Sequence, residues 1–206
     1  FILNQKKIVS HNYSIFYEKY FSIYKNKKIN FLELGSHEGR GIASFYFFFP
    51  NAKIVGANIN PFQMKFKSKR INELYIDVSS KKIINHFSKH INEDFDIIID
   101  DASHNLKDIL ITLSKLFEKL RKGGIYVIED INQFHVFKEL NPYKNELTPK
   151  EILQSIKCNK DFKSSFISEK EKKYLIDHIE KIDFEKGQMI INGFNVSDIA
   201  FIKKRN

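Results

Sequence analysis

Tryptophan is absent from the chain and cysteine occurs once, at Cys158. A single thiol excludes intrachain disulfides and cysteine-rich zinc sites. Long apolar runs are missing too: the longest nearly continuous one, Ile42–Phe49, falls well short of the roughly 20 residues that a membrane-spanning helix requires. No secretory pattern opens the sequence, although it begins with Phe rather than Met, which leaves room for a leader not included in it. A cytoplasmic location is the default expectation. There is no internal repeat and no long low-complexity tract.

What is present suits one α/β domain with a sizeable core: 206 residues, 42% of them hydrophobic. Twenty Phe against no Trp point to a biased codon supply rather than a purpose. The formal charge of +9 fits nucleic acid, an anionic small substrate or an anionic surface. Lysines are spread along the chain rather than massed in an arm, which weakens the nucleic-acid reading.

The organising stretch is residues 95–131. Two apolar runs, FDIII and IYVI, each lead directly into a carboxylate pair, Asp100–Asp101 and Glu129–Asp130. Between them Leu106, Ile109, Leu110, Leu113, Leu116, Phe117 and Leu120 recur at helical spacing, and Lys122-Gly123-Gly124 reads as the helix stop. Strand, crossover helix and strand imply parallel pairing, so both acid pairs fall at the carboxyl edge where ligands of open sheets collect.

The rest is read around that unit. Residues 11–27 carry Tyr13, Phe16, Tyr17, Tyr20, Phe21 and Tyr24 on one helical face, as core or as a dimer surface. INFLEL (29–34) is a strand leading into Gly35-Ser36-His37-Glu38-Gly39-Arg40-Gly41; a short helix stopped by Pro50 and a strand at 52–59 follow. LYIDV (74–78) is a third strand, 81–91 a helix, 131–147 a loop or lid, and Thr148-Pro149 a helix start. EKEKK (169–173) reads as a solvated connection, and 174–204 as two antiparallel closing strands around a Lys186-Gly187 turn. The divisions are an N-terminal helical segment (1–28), an α/β core (29–130), a substrate-side loop and helix region (131–168) and closing strands of the same domain (169–206).

The glycine loop lacks both the dinucleotide fingerprint and the lysine of a phosphate loop. Glu33 just before it would repel a pyrophosphate yet suit an ammonium, which favours S-adenosylmethionine over a nucleotide, with a structural turn as the alternative. Asn58 ends the second strand as a ribose contact or a polar turn, and Asp77 faces an adenine amine or caps a turn. Asp101, Glu129 and Asp130 bring hard oxygen ligands onto strands about 4.8 Å apart, suited to Mg2+ or Mn2+ rather than zinc, or act singly as caps. His104, three residues past Asp101, is a general base for a substrate hydroxyl or a helix-start histidine.

ELGSHEGRG, IIIDDASHNLKDI and LRKGGIYVIEDI together resemble the metal-dependent O-methyltransferases of the macrocin and mycinamicin type, some of whose relatives are labelled cephalosporin hydroxylase. The likeness covers roughly residues 13–132. It implies a doubly wound, mostly parallel seven-stranded sheet of the class I methyltransferase type with an antiparallel closing strand. It further implies that Asp101, Glu129 and Asp130 hold magnesium and that His104 is the base. Glu33, Gly35, Ser36, His37, Gly39 and Gly41 would hold the methionine end of S-adenosylmethionine, with Asn58, Asp77 and Asp100 completing the cofactor site. Asn58 stands where the family usually has aspartate, and Ala102 where glycine is common. The implied acceptor is a small hydroxylated molecule, a sugar or nucleotide-linked sugar, and a homodimer is expected. Competing readings are an N-methyltransferase or a methyltransferase of phosphate- or carboxylate-bearing molecules, a non-haem iron hydroxylase, and a nucleic-acid module.

Overall fold

The computed structural model describes residues 11–143 and 145–206. The first ten residues of the expected N-terminal segment, and Lys144 in the substrate-side loop, lie outside them. In chain order the elements are α1 (Ser14–Phe21), β1 (Asn30–Leu34), α2 (Arg40–Phe48), β2 (Lys53–Asn58), β3 (Ile71–Tyr75), α3 (Lys81–His90), β4 (Phe95–Asp100), α4 (Leu106–Leu116) and β5 (Leu120–Ile128). Then come α5 (Pro149–Lys157), α6 (Glu169–His178), β6 (Ile179–Lys186), a small hairpin of β7 (Ile190–Ile191) and β8 (Phe194–Asn195), and β9 (Asp198–Lys204).

Seven strands form one sheet in the order β3-β2-β1-β4-β5-β9-β6. The first five are parallel, and β9 runs antiparallel to both its neighbours. This is the doubly wound sheet with antiparallel closure that the sequence predicts. α1 and α2 cover one face, where Phe31, Ile97, Ile99, Val127 and Phe201 form a core. α3, α4, α5 and α6 cover the other, over Leu32, Leu34, Ile98, Tyr126 and Ile128. Central strands buried on both faces need continuous apolar runs, which is why they were legible in the sequence. Among the described residues no helix is long and apolar enough to cross a membrane.

Several expectations are corrected. Residues 169–173 open α6 instead of forming a solvated connection: Ser168 and Glu171 make a capping box, and Glu171 and Lys172 are buried because each is paired, Glu171 with Lys115 and Lys172 with Asp161. Tyr174–His178 complete that helix, so the closing strands begin only at Ile179. The glycines of Lys122-Gly123-Gly124 do not stop α4, which ends at Leu116 and passes through a 3-10 turn; they lie in the irregular start of β5, where a Cβ on Gly124 would stand 2.9 Å from the Asp96 carbonyl. The third strand is Ile71–Tyr75 rather than 74–78, so Asp77 stands beyond it. The N-terminal aromatic stripe is core: Tyr13, Tyr17 and Phe21 are buried, with Tyr17 and Phe21 packed on Phe45 and Phe201. These three residues therefore offer no face to a second copy, while Phe16 and Tyr20 of the same stripe are only partly buried.

The sheet order reverses between β1 and β4, so their exits frame the crevice where ligands of this architecture bind. The two exits nearly touch. Asp101 N donates to Leu34 O at 3.1 Å, and a Cβ on Gly35 would lie 2.1 Å from the Asp101 carbonyl oxygen. Gly35 also has φ +79°, in the left-handed region.

Two outcomes follow for stability. Gly35→Ala meets backbone as well as an unfavourable φ, and is expected to cost about 3 kcal/mol or more, a fall in Tm of roughly 6–12 °C. Gly193, at φ +80° with nothing within 4 Å of an added Cβ, isolates the conformational part, and Gly193→Ala should cost only about 1 kcal/mol; equal losses in the two variants would refute the close-approach account. Burial pushes the Glu171 carboxyl up, but hydrogen bonds from Lys115 and Ser168 outweigh it and hold it down from 4.5 to about 2. That stabilisation is complete above pH 4.5 and is lost as pH falls through about 2. Glu171→Gln should therefore be less stable than wild type at pH 7 by about 1 kcal/mol, allowing for solvent screening, and the two melting curves should converge near pH 2.

Candidate active site

Alternation along the strands decides where each acid points. On β1, Leu32 and Leu34 face the α3–α6 side and Phe31 the α1–α2 side, so Glu33 shares the latter. There it is 2% exposed and lies beneath α2, where a Cβ on Gly41 would stand 2.2 Å from its Oε1. Gly41 thus serves the close seating of Glu33. Gly39 is occupied with packing: its added Cβ would meet Met64 Cγ at 2.7 Å. Ser36 is buried, and its Oγ has no hydrogen-bond partner among the described residues.

A cleft of about 500 Å3 opens beside this loop, lined by Gly35, His37, Asn58, Ile59, Ile76, Asp77, Val78, Ser79, Asp101, Ala102 and Ser103. The structure thus brings Gly35, His37, Asn58 and Asp77 together, with Asp101 on the opposite lip. Glu33, Ser36, Gly39 and Gly41 form the bed of the loop rather than the cleft lining. At Asp77 the turn-cap alternative is seen, its Oδ1 accepting from Ser79 N at 2.9 Å and Ser79 Oγ at 2.6 Å, and the residue also lines the cleft. Asn58 likewise donates to Asn60 O at 3.3 Å and lines the cleft. Apolar Ile59, Ile76 and Val78 beside a few polar groups give the composition of a small-molecule pocket.

Asp100 is not part of that lining. It faces α4, where Thr112 Oγ1 donates to its Oδ2 at 2.6 Å and Tyr126 OH at 3.1 Å, and burial pushes its carboxyl up to about 6.

The acid edge lies next to the cleft. Asp101, His104 and Asp130 each offer a ligand atom, all within 4.8 Å of one another, and His104 Nε2 stands 3.8 Å from Asp101 Oδ1. His104 (φ +55°) and Asp130 (φ +54°) both have left-handed backbone; such conformations cost on the order of 1–2 kcal/mol and persist where surrounding contacts enforce them. At Asp130 those contacts are plain. His11 Nδ1 is 3.1 Å from Oδ1, Tyr13 OH donates to Oδ1 at 2.5 Å, and Gln133 Nε2 donates to Oδ2 at 2.9 Å. Burial raises its carboxyl, but His11, His104 and Tyr13 together hold it below the ordinary value.

Glu129 is 1% exposed and stands outside that three-residue group; its Oε1 accepts from Tyr17 OH. Ile125 and Val127 face α1 and α2 while Tyr126 and Ile128 face away, so alternation returns Glu129 to the Tyr17 side. Sequence reasoning missed His11, Tyr13, Tyr17 and Gln133. The signal available was that two tyrosines one helical turn apart on a buried face need partners for their hydroxyls. Asp101 and Asp130, with Glu129 adding negative charge nearby, offer hard oxygen donors that fit a divalent cation, and His104 stands beside them.

Residues 25–181 match the profile of a family described as "Methyltransferase domain". The mycinamicin VI 2''-O-methyltransferase of Micromonospora griseorubida is 29% identical over 128 residues, 59% of this chain and 32% of that protein. Demethylmacrocin O-methyltransferase of Streptomyces fradiae is 26% identical over 156 residues, 71% of this chain and 39% of that protein. Among solved structures, the MycE methyltransferase from the mycinamycin biosynthetic pathway, in complex with Mg, SAH and mycinamycin VI, superposes with a TM-score of 0.69 at 22% identity over 95% of this chain and 49% of that one. At that identity the likeness is one of fold. The chain spans about a third of the length of these curated relatives. With the matched profile covering most of its length, and the cleft and acid edge inside or beside that span, the chain belongs to the methyltransferase-domain family.

Proposed function

We propose that the chain transfers a methyl group from S-adenosylmethionine to a hydroxyl of a small molecule, a sugar or a nucleotide-linked sugar, with a divalent cation, Mg2+ or alternatively Mn2+, at the acid edge. The observation that carries this reading is the double membership of Asp101: it lines the cleft and it belongs to the group with His104 and Asp130. A donor in the cleft and an acceptor at the acid edge would meet across one residue. The curated relatives are named as O-methyltransferases acting on sugar-bearing natural products, and the superposed structure holds Mg and SAH.

S-adenosylmethionine supplies a methyl group on a positively charged sulfur. The loop from Gly35 to Gly41 with Glu33 beneath it orients the amino-acid end. Asn58 and Asp77 orient the nucleoside end, while Ile59, Ile76 and Val78 exclude water. Asp101 and Asp130, with Glu129 beside them, would hold a divalent cation, which would supply positive charge that lowers the pKa of a nearby hydroxyl. His104 takes the proton from that hydroxyl. The oxygen forms its bond to the methyl carbon as the carbon–sulfur bond breaks, and the electron pair of that bond stays on sulfur.

The excess of lysine would aid capture of an anionic acceptor such as a nucleotide-linked sugar. Several basic side chains are already paired on the surface, Lys65 with Glu38, Lys67 with Glu73 and Arg121 with Asp96, which argues against a nucleic-acid face. The lone thiol, exposed Cys158, accords with a reducing, cytoplasmic setting. The homodimer in this reading must use a surface other than the buried Tyr13, Tyr17 and Phe21.

The test is calorimetric titration with S-adenosylhomocysteine, with and without Mg2+, followed by a Mg2+-dependent methylation screen over hydroxylated sugars. Saturable binding and methylation lost on chelation are the expected results. Folded protein that binds no S-adenosylhomocysteine at millimolar concentration would sink the proposal. His104→Ala should lower kcat by about 100- to 10,000-fold while leaving S-adenosylhomocysteine affinity within twofold.

A further inference from the structure

Two buried phenols lie against the acid edge, before residues 25–181 that match the family profile, and no step of the proposed reaction uses them. Tyr17 donates to Glu129 Oε1, and Tyr13 to Asp130 Oδ1 at 2.5 Å. Tyr13 is the N-cap of α1 and Tyr17 lies one turn on, so the start of a single helix aims both hydroxyls at two adjacent acids. α1 itself is locked in place by the ring contacts of Tyr17 and Phe21 with Phe45 and Phe201.

We infer that Tyr17 and Tyr13 are positioning residues of the cation centre, Tyr13 fixing the Asp130 carboxylate as a ligand and Tyr17 holding the Glu129 carboxylate close beside it, so that neither swings away before a divalent ion binds. The inference rests on the cation reading above. Carboxylates crowded at one strand edge repel each other and would swing apart if their rotamers were unrestrained. A phenol held by packing removes that freedom, because it contributes a proton to one oxygen of each acid and cannot follow the acid outward. Tyr13 extends the support to the backbone: its hydroxyl lies 2.8 Å from Ser197 O and accepts from Asp130 N at 3.3 Å, which ties the left-handed Asp130 to the strand that follows the β7–β8 hairpin.

A phenol whose role is only to satisfy a buried acid would affect folding alone, and ion binding separates the two cases. Mn2+ affinity is measured by electron paramagnetic resonance on wild type, Tyr17→Phe and Tyr13→Phe. Tyr20→Phe serves as control, since Tyr20 donates to Glu185, away from the acid edge. Removing an outer hydrogen-bond partner at a metal centre weakens metal binding by about 10- to 100-fold, and that loss is expected for Tyr17→Phe and Tyr13→Phe. The control should stay within twofold, as should S-adenosylhomocysteine affinity measured without metal. In turnover, the apparent KM for the metal should rise more than kcat at saturating metal falls. A second readout needs no variant. With nine Tyr and no Trp, the near-ultraviolet circular dichroism of wild type reports tyrosine, and saturating Mg2+ should change it as the ion draws charge from the phenol-bound carboxylates.

Wild-type Mn2+ affinity in Tyr17→Phe would overturn the inference. So would a wild-type tyrosine band indifferent to saturating Mg2+, which decides the matter if the variants fail to fold. Wild type that binds S-adenosylhomocysteine but no Mn2+ would remove the cation reading, and this inference with it, while leaving the cofactor cleft standing.

Discussion

Burying carboxylates at the edge of a sheet is unfavourable unless each finds donors, and the placing of those donors organises this molecule. Asp130 is held by His11, Tyr13 and Gln133, Glu129 by Tyr17, and Asp100 by Thr112 and Tyr126. None of these donors belongs to the strand carrying the acid it serves. They come from α1 and the residues just before it, from α4, from the neighbouring strand β5 and from the loop after it, so the acid edge is finished only when both helical layers have docked. The aromatic helix and the acidic motif, far apart in sequence, form one structural unit.

Crowding at the switch point is the second constraint. The exits of β1 and β4 pass so close that only a residue without Cβ fits at position 35. This gives the first glycine of the loop a role independent of any ligand. Gly39 and Gly41 likewise answer to Met64 and Glu33. Glycine spacing alone was a weak signal in the sequence for this reason: each glycine is fixed by its own neighbour in the fold.

What the sequence disclosed and what it hid follow from burial. Strands buried on both faces, such as Phe95–Asp100, announced themselves as apolar runs. The edge strand Ile71–Tyr75 is half-exposed, and its mixed residues displaced the expected strand by three positions. Residues 169–173 looked solvated because their charges are not apolar, yet Glu171 and Lys172 are buried through partners outside the segment, Lys115 and Asp161. Pairing across the fold cannot be seen in a local window. At the site, the two acid pairs and His104 were legible as a strand-end pattern. The phenols were not, because an aromatic stripe reads as core, and here it is core and hydrogen-bond donor at once.

Strand alternation explains why the acids come in pairs. Consecutive residues at a strand end face opposite layers, so of Asp100 and Asp101 only one can face the crevice. Asp100 turns to α4, where its bond to Thr112 anchors the crossover helix against the strand it leaves. Asp101 is then delivered to the cleft lip by a strand end that is already fixed. The second pair solves the same problem differently. Glu129 continues the alternation toward α1, and a left-handed turn at Asp130 breaks it, which brings the following acid back beside Asp101 and His104. The positive φ at Asp130 is therefore the device by which two adjacent carboxylates on one strand both reach the same edge. Tyr13, which accepts from the Asp130 amide and donates to its side chain, holds that device in place.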